Sequence, residues 1–301
     1  MRLTSTTRPS RRFRRRAATA SLALFAVIGL GCGTTTPSEP VDPGPDPTDP
    51  TEPSDSATWT LVWSDEFDGA SLDLTKWTPQ LGDGCDMGIC GWGNNELQWY
   101  QAENAVVADG LLTITAREES AGGKQYTSAR LRTYRKGDWT YARVEARARL
   151  PVGQGLWPAI WMLPTDDVYG GWAASGEIDI MELVGDEPAT VHGTLHYGGT
   201  WPNNRSSGDS FTLSSGTFAD DFHTFAIEWE EGVIRWFVDG ELYQTQRQWS
   251  TDVAPYPAPF DERFHLLVNV AVGGNWPGNP DASTTFPKTL EIDWIRVYQR
   301  R

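Results

Sequence analysis

Three acidic side chains lie close together in residues 176–183, which read GEIDIMEL. Glu177, Asp179 and Glu182 interrupt a segment that otherwise has the apolar character of a buried strand. Neighbouring carboxyl groups held in different protonation states can share a reaction, because one acts as a carboxylate while the other donates a proton. This segment is therefore the first candidate for chemistry.

The spacing of the acids predicts an irregular strand. Side chains alternate faces, so Glu177 and Asp179 share one face and Glu182 would point to the other. A β-bulge that absorbs one residue brings Glu182 back, and we predict this bulge around Ile180 and Met181. The glutamates would then be about 13 Å apart along the strand, and side chains leaning together would leave their carboxyl groups roughly 5 to 6 Å apart. That separation favours a retaining glycosidase with a covalent glycosyl-enzyme.

A solvated acidic face or a calcium site is the alternative interpretation of the three acids. The interleaved residues Ile178, Ile180 and Met181 indicate a buried central strand instead. Three unpaired carboxylates in a buried strand would be unfavourable without a function. In the catalytic interpretation, Asp179 adds negative charge that raises the proton affinity of a neighbour.

Tryptophans near the acids indicate a sugar ligand. Trp157 and Trp161 are four residues apart in GQGLWPAIWMLP, with the small Ala159 between them, so in a strand both indoles project from one face. Sugars stack their C–H faces on such rings. A Trp pair by itself is more often part of a core, but further tryptophans occur in loop-like segments, at Trp92, Trp172, Trp201 and Trp276.

Short strands with two-residue alternation must position these side chains. The clearest stretches are 110–118, 140–151, 191–199, 223–246, 264–274 and 289–299, with Glu-Gly and Asp-Gly turns that make 228–243 a three-stranded meander. No stretch from residue 59 onward has the pattern of a helix-length amphipathic segment. The pattern predicts one all-β domain over 59–301, a sandwich with a concave and a convex sheet.

The first 58 residues predict export. Arginines 11, 12, 14, 15 and 16 precede an apolar run at 18–31 that suits a signal peptide over 1–31. Cys32 follows as in bacterial lipoproteins, which predicts a lipid-anchored protein at the cell surface; ordinary cleavage and free secretion is the alternative. Residues 32–58 are rich in Pro, Asp and Thr, which predicts a disordered linker.

The net charge limits the kinds of ligand to be expected, and the cysteine spacing indicates a disulfide. The net charge of −15 becomes −22 once the leader's seven arginines are removed (18 basic against 40 acidic residues), which argues against nucleic acid and suits a neutral ligand. After export, Cys85 and Cys90 close a short ring, so a disulfide is favoured over a metal site.

Residues 59–301 resemble the bacterial laminarinases of glycoside hydrolase family 16, which are endo-β-1,3-glucanases. The likeness rests on GEIDIMEL with GLWPAIWML before it and GTLHYGG after it, and on WSDEFDG, GWGNNELQWY, YTSAR, VGGNWPG and IDWIRVYQ. It implies a concanavalin A-like jelly-roll β-sandwich with the substrate in a cleft on the concave sheet. It also implies Glu177 as nucleophile, Glu182 as acid/base and Asp179 as the helper that orients and tunes Glu177, with no cofactor for catalysis.

The same resemblance implies further site residues. Trp157 and Trp161 would line the subsites nearest the cut, and Arg130, Asn95 and Trp276 would bind glucose on the non-reducing side. His196 would lie near the acid/base, although a histidine there could equally be structural. A structural calcium ion on the convex face would use positions that correspond to Glu66, the Gly110 carbonyl and Asp293.

The expected partner is a β-glucan polysaccharide, with β-1,3 linkages and some tolerance of mixed β-1,3/1,4 linkages, acted on by a monomer. A different class of function is a non-catalytic glucan-binding protein, against which the presence of Glu177 and Glu182 speaks. Within the enzyme class, the residues also allow action on a galactan, or glycosyl transfer in place of hydrolysis.

Overall fold

The structure is a computed structural model that describes residues 58–301. The predicted signal peptide, Cys32 and all but the last residue of the predicted linker lie outside the described residues, so these domain boundaries stay predictions. The described part of the chain contains eighteen strands and three short 3-10 helices. None of the helices in residues 58–301 has the length and apolar character needed to cross a membrane.

The strands are numbered in chain order. They are β1 (Trp59–Asp65), β2 (Thr78–Gln80), β3 (Gln98–Tyr100), β4 (Ala105–Ala108), β5 (Leu111–Ala116), β6 (Tyr126–Ser128), β7 (Arg130–Arg132), β8 (Asp138–Trp139), β9 (Ala142–Arg149), β10 (Leu156–Pro164), β11 (Glu177–Glu182), β12 (Thr190–Gly198), β13 (Asn204–Thr212), β14 (His223–Glu230), β15 (Val233–Val238), β16 (Glu241–Gln246), β17 (Phe264–Val272) and β18 (Lys288–Arg300). The 3-10 helices are Cys85–Met87, Cys90–Gly93 and Ala102–Asn104.

Two large antiparallel sheets form the predicted jelly-roll β-sandwich. The acid-bearing sheet has the order β13-β12-β11-β10-β17-β7-β2, with β8 pairing with β17. The opposite sheet has the order β16-β15-β14-β9-β18-β5-β4, with β1 pairing with β18. A small parallel pair, β3 and β6, completes the strands. Strand β11, which carries the three acids, is thus an inner strand with a neighbour on each side.

The alternation in the sequence corresponds to the observed strands. All six predicted stretches contain strands, and the predicted meander is β14, β15 and β16. Strand β13 is one of the strands outside the six predicted stretches; its sequence, NRSSGDSFT, is polar and largely exposed, as an edge strand allows. Pairing with β12 along its whole length decides its structure.

The inner faces of the two sheets enclose one apolar core. Ile178, Ile180 and Met181 of β11 belong to this core, which confirms the prediction of a buried strand. The hydrophobic effect therefore fixes one face of β11 inward and leaves its acids on the other face.

A close approach between the sheets holds β11 in place. The indole N–H of Trp236, on β15, donates a 2.8 Å hydrogen bond to the backbone carbonyl oxygen of Asp179. Gly193 on β12 makes room for this indole, because a Cβ there would lie 2.5 Å from Trp236 Cδ1. Glycine at this position is thus a packing requirement.

Candidate active site

A β-bulge places all three acids on one face of the acid-bearing sheet. Across β12, Glu177 faces His196, Asp179 faces Thr194 and Glu182 faces His192. These partners are two residues apart in a regular strand, so they share a face, and β11 must absorb one extra residue between Asp179 and Glu182.

The pairing of β11 with β10 locates the extra residue. Met181 pairs with Ile160 and Asp179 pairs with Trp161, so Ile180 is the residue that the register skips. The bulge predicted around Ile180 and Met181 is confirmed.

Each glutamate receives a hydrogen bond from a tryptophan. Trp172 Nε1 donates to Glu177 Oε2 at 2.8 Å, and Trp157 Nε1 donates to Glu182 Oε1 at 3.0 Å. An indole N–H fixes the orientation of a carboxyl group without supplying a charge. The two carboxyl groups are therefore held by separate partners at the two ends of β11.

Glycine is required where the acid-bearing strand begins. Gly176 precedes Glu177 with φ +88°, a left-handed conformation that favours glycine. A Cβ at this position would also lie 2.9 Å from Phe260 and 3.0 Å from Phe264 in the core. The turn into β11 thus sets where the Glu177 side chain leaves the sheet.

Asp179 lies between the two glutamates and beside His196. Asp179 is only 2% exposed, and its Oδ2 lies 3.3 Å from His196 Nε2. The same nitrogen lies 3.8 Å from Glu177 Oε1. The imidazole therefore lies beside Glu177 and Asp179, on the nucleophile side of the acids, whereas the resemblance implied a position near the acid/base Glu182.

Burial and mutual repulsion separate the acids' protonation states. Burial, with the charge of Asp179, raises the pKa of Glu177 to about 7, while His196, the Trp172 hydrogen bond and Arg130 act in the opposite direction. Burial, with the charges of Asp179 and Glu177, raises the pKa of Glu182 well above its usual value. Glu177 is thus the easier of the two glutamates to ionise, and Glu182 keeps a proton that it can donate.

The surroundings of His196 favour its charged form. Burial disfavours the imidazolium, but contact with Asp179 and the charges of Asp179, Glu177 and Glu182 outweigh it and raise the pKa of His196 to about 10. The imidazolium then offsets part of the acids' negative charge. This favours ionisation of Glu177, whose pKa it lowers.

The predicted tryptophan pair lines the same face. Trp161 pairs with Asp179 and Ala159 with Glu182, so Trp157, two residues before Ala159, also shares the face. Both indoles are partly exposed. The prediction that they project from one face around a small residue is confirmed.

A buried polar network holds Trp161. Its Nε1 donates to Asn269 Oδ1 at 2.8 Å, and Asn269 Nδ2 donates to the Tyr100 hydroxyl at 3.2 Å. The Tyr100 hydroxyl and the Gln98 amide both donate to Glu96 Oε2, at 3.3 and 2.7 Å. The orientation of one cleft indole thus depends on residues from two distant parts of the chain.

The guanidinium group of Arg130 is enclosed by two indole rings. Its guanidinium lies 4.4 Å from the Trp92 ring centroid and 4.7 Å from that of Trp161, and its Nε donates to Gln80 at 2.7 Å. The residue is 8% exposed. Trp92, one of the loop tryptophans counted in favour of a sugar ligand, is buried against Arg130 and Tyr100.

Asn95 and Trp276 lie on two neighbouring loops. Asn95 Nδ2 donates to Asn275 Oδ1 at 2.8 Å. The Trp276 ring is 45% exposed and packs edge-on against Trp157 at 5.5 Å and against His192 at 5.0 Å. The structure therefore brings Trp276 next to the indole that holds Glu182.

Two residues of this face were not among the predicted site residues. His192 faces Glu182 across the strand pair, and burial lowers its pKa. Its spacing of four from His196 in HGTLH was a usable signal, because two such positions share a strand face. The sequence indicates Trp172 only as a loop tryptophan, because no feature of the neighbouring residues predicts its hydrogen bond to Glu177.

The loop disulfide is formed as predicted. Cys85 and Cys90 are bonded within the loop that leads to Trp92. Because Trp92 packs on Arg130, this bond stiffens one wall of the face that carries the predicted sugar-binding residues.

The predicted calcium ligands already have other partners. Both oxygens of Glu66 accept hydrogen bonds from Arg296, at 3.0 and 2.7 Å. Asp293 is paired with Arg147. As arranged, neither carboxylate is free for a cation, so these residues do not fit a calcium ion with Gly110.

Within residues 58–301, one group of three acidic and histidine side chains has the spacing of a metal site. It consists of Glu177, Asp179 and His196, whose candidate ligand atoms lie within 4.8 Å of one another. All three already belong to the acid cluster, so the group does not indicate a separate metal centre.

The chain is similar to known glycoside hydrolases. The family model described as Glycosyl hydrolases family 16 matches residues 93–296, and the chain belongs to this family. It is 48% identical over 256 residues to the Beta-glucanase of Rhodothermus marinus, covering 80% of this chain and 85% of that relative.

A second relative is much longer than this chain. The identity is 46% over 263 residues with Glucan endo-1,3-beta-glucosidase A1 of Niallia circulans, covering 81% of this chain but only 38% of that relative.

The fold is similar to that of a solved structure, the catalytic domain of an endo-1,3-beta-glucanase (laminarinase) from Thermotoga petrophila RKU-1, with a TM-score of 0.74 and 43% identity. That match covers 81% of this chain and 99% of the other.

Proposed function

We propose that the protein is an endo-acting, retaining glycoside hydrolase that cleaves β-1,3-glucan of the laminarin type and tolerates mixed β-1,3/1,4-glucan. The observation that carries the proposal is the bulged strand, which presents Glu177, Asp179 and Glu182 on one face. Its similarity to the Beta-glucanase of Rhodothermus marinus and to Glucan endo-1,3-beta-glucosidase A1 of Niallia circulans supports the substrate class.

In the first step, Glu177 attacks the anomeric carbon as the carboxylate. Glu182 transfers its proton to the glycosidic oxygen, the bond from that oxygen to the anomeric carbon breaks, and the leaving sugar departs. The surroundings favour these roles, because burial and the charge of Asp179 raise the pKa of Glu177 to about 7, whereas burial and the charges of both Asp179 and Glu177 raise the pKa of Glu182 well above its usual value. The anomeric carbon is now bonded to Glu177.

In the second step, the glycosyl-enzyme is hydrolysed. Glu182, now a carboxylate, accepts a proton from water as the water oxygen attacks the anomeric carbon, and Glu177 leaves. Both displacements invert the configuration, so the product retains it. Asp179 Oδ2 lies 3.3 Å from His196 Nε2, and this contact holds the imidazole 3.8 Å from Glu177 Oε1.

Hydrolysis is favoured over simple glucan binding because of where the acids lie. A binding protein gains affinity from the indoles Trp157 and Trp161 without needing two desolvated glutamates. Glu182 is 8% exposed and Asp179 is 2% exposed, and repulsion between such groups is unfavourable unless it serves proton transfer. The binding protein and a galactan-specific hydrolase remain the competing hypotheses.

Release of reducing sugar from laminarin tests the proposal. The wild type should release sugar and Glu177→Gln should release none, whereas Glu103→Gln, at an exposed position away from the acids, should behave as wild type. If neither wild type nor E177Q releases sugar but both bind laminarin, the binding hypothesis is correct.

A substrate panel and the product anomer test the finer claims. Laminarin and curdlan should be cut into oligosaccharides, lichenan more slowly, and agarose not at all. Proton NMR of the first product should show the β-anomer. Preferential cutting of agarose, or an α-anomer, would contradict the proposed specificity or mechanism.

We further propose that the protein is exported, is lipid-anchored through Cys32 and acts as a monomer. The arginine-rich leader and the position of Cys32 support anchoring. Wild type should fractionate with membranes and Cys32→Ala should not; equal fractionation of the two would favour free secretion. Size-exclusion chromatography of residues 59–301 tests the monomer.

A further inference from the structure

Two exposed tryptophans stand beside the nucleophile, and their open ring surfaces have no role in the proposed reaction. Trp172 is 40% exposed and Trp201 is 70% exposed. Their ring centroids are 6.4 Å apart, and the ring planes differ by 35°. Large apolar rings left this open to water beside a reaction centre indicate a ligand surface.

The sheet order places this pair on a definite side of the reaction centre. Trp201 lies in the loop between β12 and β13, and these strands lie on one side of β11. Arg130, predicted to bind glucose on the non-reducing side, lies on β7, and Trp157 and Trp161, predicted to line the subsites nearest the cut, lie on β10. Both strands are on the other side of β11. A chain that crosses the sheet over β7 and β10 continues past β11 toward Trp201.

The pair is held by the protein and is not a loose surface feature. The Trp201 backbone N–H donates to the Trp172 carbonyl oxygen at 3.0 Å, which joins the two loops. The Trp172 indole is fixed by its bond to Glu177, and its ring lies 5.7 Å from that of His196. A prearranged ring pair loses little entropy when it binds a ligand.

We propose that Trp172 and Trp201 form a binding platform for the acceptor-side sugar of a β-glucan, on the leaving-group side of the cut. This rests on the proposed function and extends it. A pyranose ring offers a C–H face to an indole, and the open Trp201 ring has such a face available. Trp172 also positions Glu177, so the two roles meet in one side chain.

The platform predicts glycosyl transfer as well as hydrolysis. A sugar bound there presents a hydroxyl to the glycosyl-enzyme. The hydroxyl oxygen bonds to the anomeric carbon as the bond to Glu177 breaks, and the hydroxyl proton passes to Glu182. The enzyme returns to its starting state, and the product is a longer oligosaccharide. Occupancy of the platform therefore sets how often a sugar hydroxyl, and not water, attacks the glycosyl-enzyme.

The test measures the ratio of transfer to hydrolysis. Wild type, Trp201→Ala and Trp201→Phe are incubated with laminarin and fluorescently labelled laminaribiose as acceptor, and labelled products are sized. W201A should lower the ratio about fivefold, which corresponds to about 1 kcal/mol of lost stacking, while W201F should keep most of it. The variants' thermal unfolding checks that they fold.

Trp276→Ala is the matched control, because Trp276 is also an exposed loop tryptophan but packs on Trp157. It should weaken laminarin cleavage and leave the transfer ratio unchanged. If wild type cuts laminarin and folded W201A gives the wild-type ratio, the acceptor platform is wrong and the proposed function stands. If wild type cuts no β-glucan, both are overturned.

Discussion

The indole of Trp236 and the backbone carbonyl of Asp179 are joined by a 2.8 Å hydrogen bond between the two sheets of the sandwich. Asp179 is the last residue before the bulge, so this bond fixes the backbone where the strand becomes irregular. A buried carbonyl left without a partner would be destabilising. The core of the protein thus supports the geometry that brings Glu182 to the same face as Glu177.

Gly193→Ala should disturb this support. The new Cβ would lie 2.5 Å from Trp236 Cδ1 and 2.6 Å from the Tyr243 hydroxyl, so the indole must move. We expect a loss of roughly 1–3 kcal/mol in the free energy of unfolding, measured by urea denaturation, together with reduced activity. Gly171→Ala is the control, since its Cβ meets only Thr200, at 3.8 Å. Equal stability of the two variants would contradict this account.

Glu182→Gln should separate the two chemical steps. Glutamine cannot donate the proton to the leaving oxygen, so laminarin cleavage should fall by about 10²–10⁴-fold. An aryl glycoside with a strongly acidic phenol leaves without that proton, so formation of its glycosyl-enzyme should be much less affected. Pre-steady-state release of the phenol makes the comparison. Equal losses on both substrates would argue against Glu182 as the acid.

Trp172→Phe should change the pH profile. In the wild type, kcat/KM should fall as the pH drops below about 7, because Glu177, whose pKa is about 7, must be ionised to attack. Phenylalanine removes the hydrogen bond that lowers this pKa, so the acidic limb should move to higher pH. We also expect kcat/KM at its optimum to fall roughly tenfold or more. An unmoved limb would mean that Trp172 does not act on Glu177.

His196→Gln should alter the pH dependence of stability. Between the ordinary histidine pKa of 6.5 and about 10, the imidazole is charged only in the folded protein. The folded state then binds the extra proton, so this contribution to stability is complete below pH 6.5 and is lost as the pH rises through 10. A pKa shift from 6.5 to about 10 corresponds to roughly 5 kcal/mol.

Urea unfolding of wild type and H196Q at pH 6.5 and pH 10 measures this difference. Wild type should lose stability between the two pH values, and H196Q should lose less. His223→Gln is the control, because His223 lies on β14 in the opposite sheet. The same loss in H196Q as in wild type would show that the imidazolium does not stabilise the acid cluster.

Local sequence was sufficient for much of the strand pattern and for the bulge. Alternation has a period of two, so the positions of Glu177 and Glu182 demanded one absorbed residue before any partner strand was known. The buried residues Ile178, Ile180 and Met181 fixed which face turns inward. The polar strand β13 was not predicted, because an exposed edge strand has little alternation of apolar and polar residues.

Contacts between distant parts of the chain could not be predicted this way. Trp236 and Asp179 are 57 residues apart, Tyr100 and Asn269 are 169 apart, and Glu66 and Arg296 are 230 apart. Each pair meets only because of the order of strands and loops in the sheets. The last pair also explains why the sequence predicted a calcium ligand at Glu66 that the structure does not support. Both carboxylate oxygens of Glu66 already accept hydrogen bonds from Arg296.

The sequence by itself determined which residues can do chemistry and which way they face, because side-chain alternation and burial act over a few neighbouring residues. The tertiary structure alone decided their partners: Trp172 on Glu177, His196 between Glu177 and Asp179, and Arg130 between two indoles. Those partners set the order in which the acids ionise, since burial and nearby charge depend on everything packed around a group.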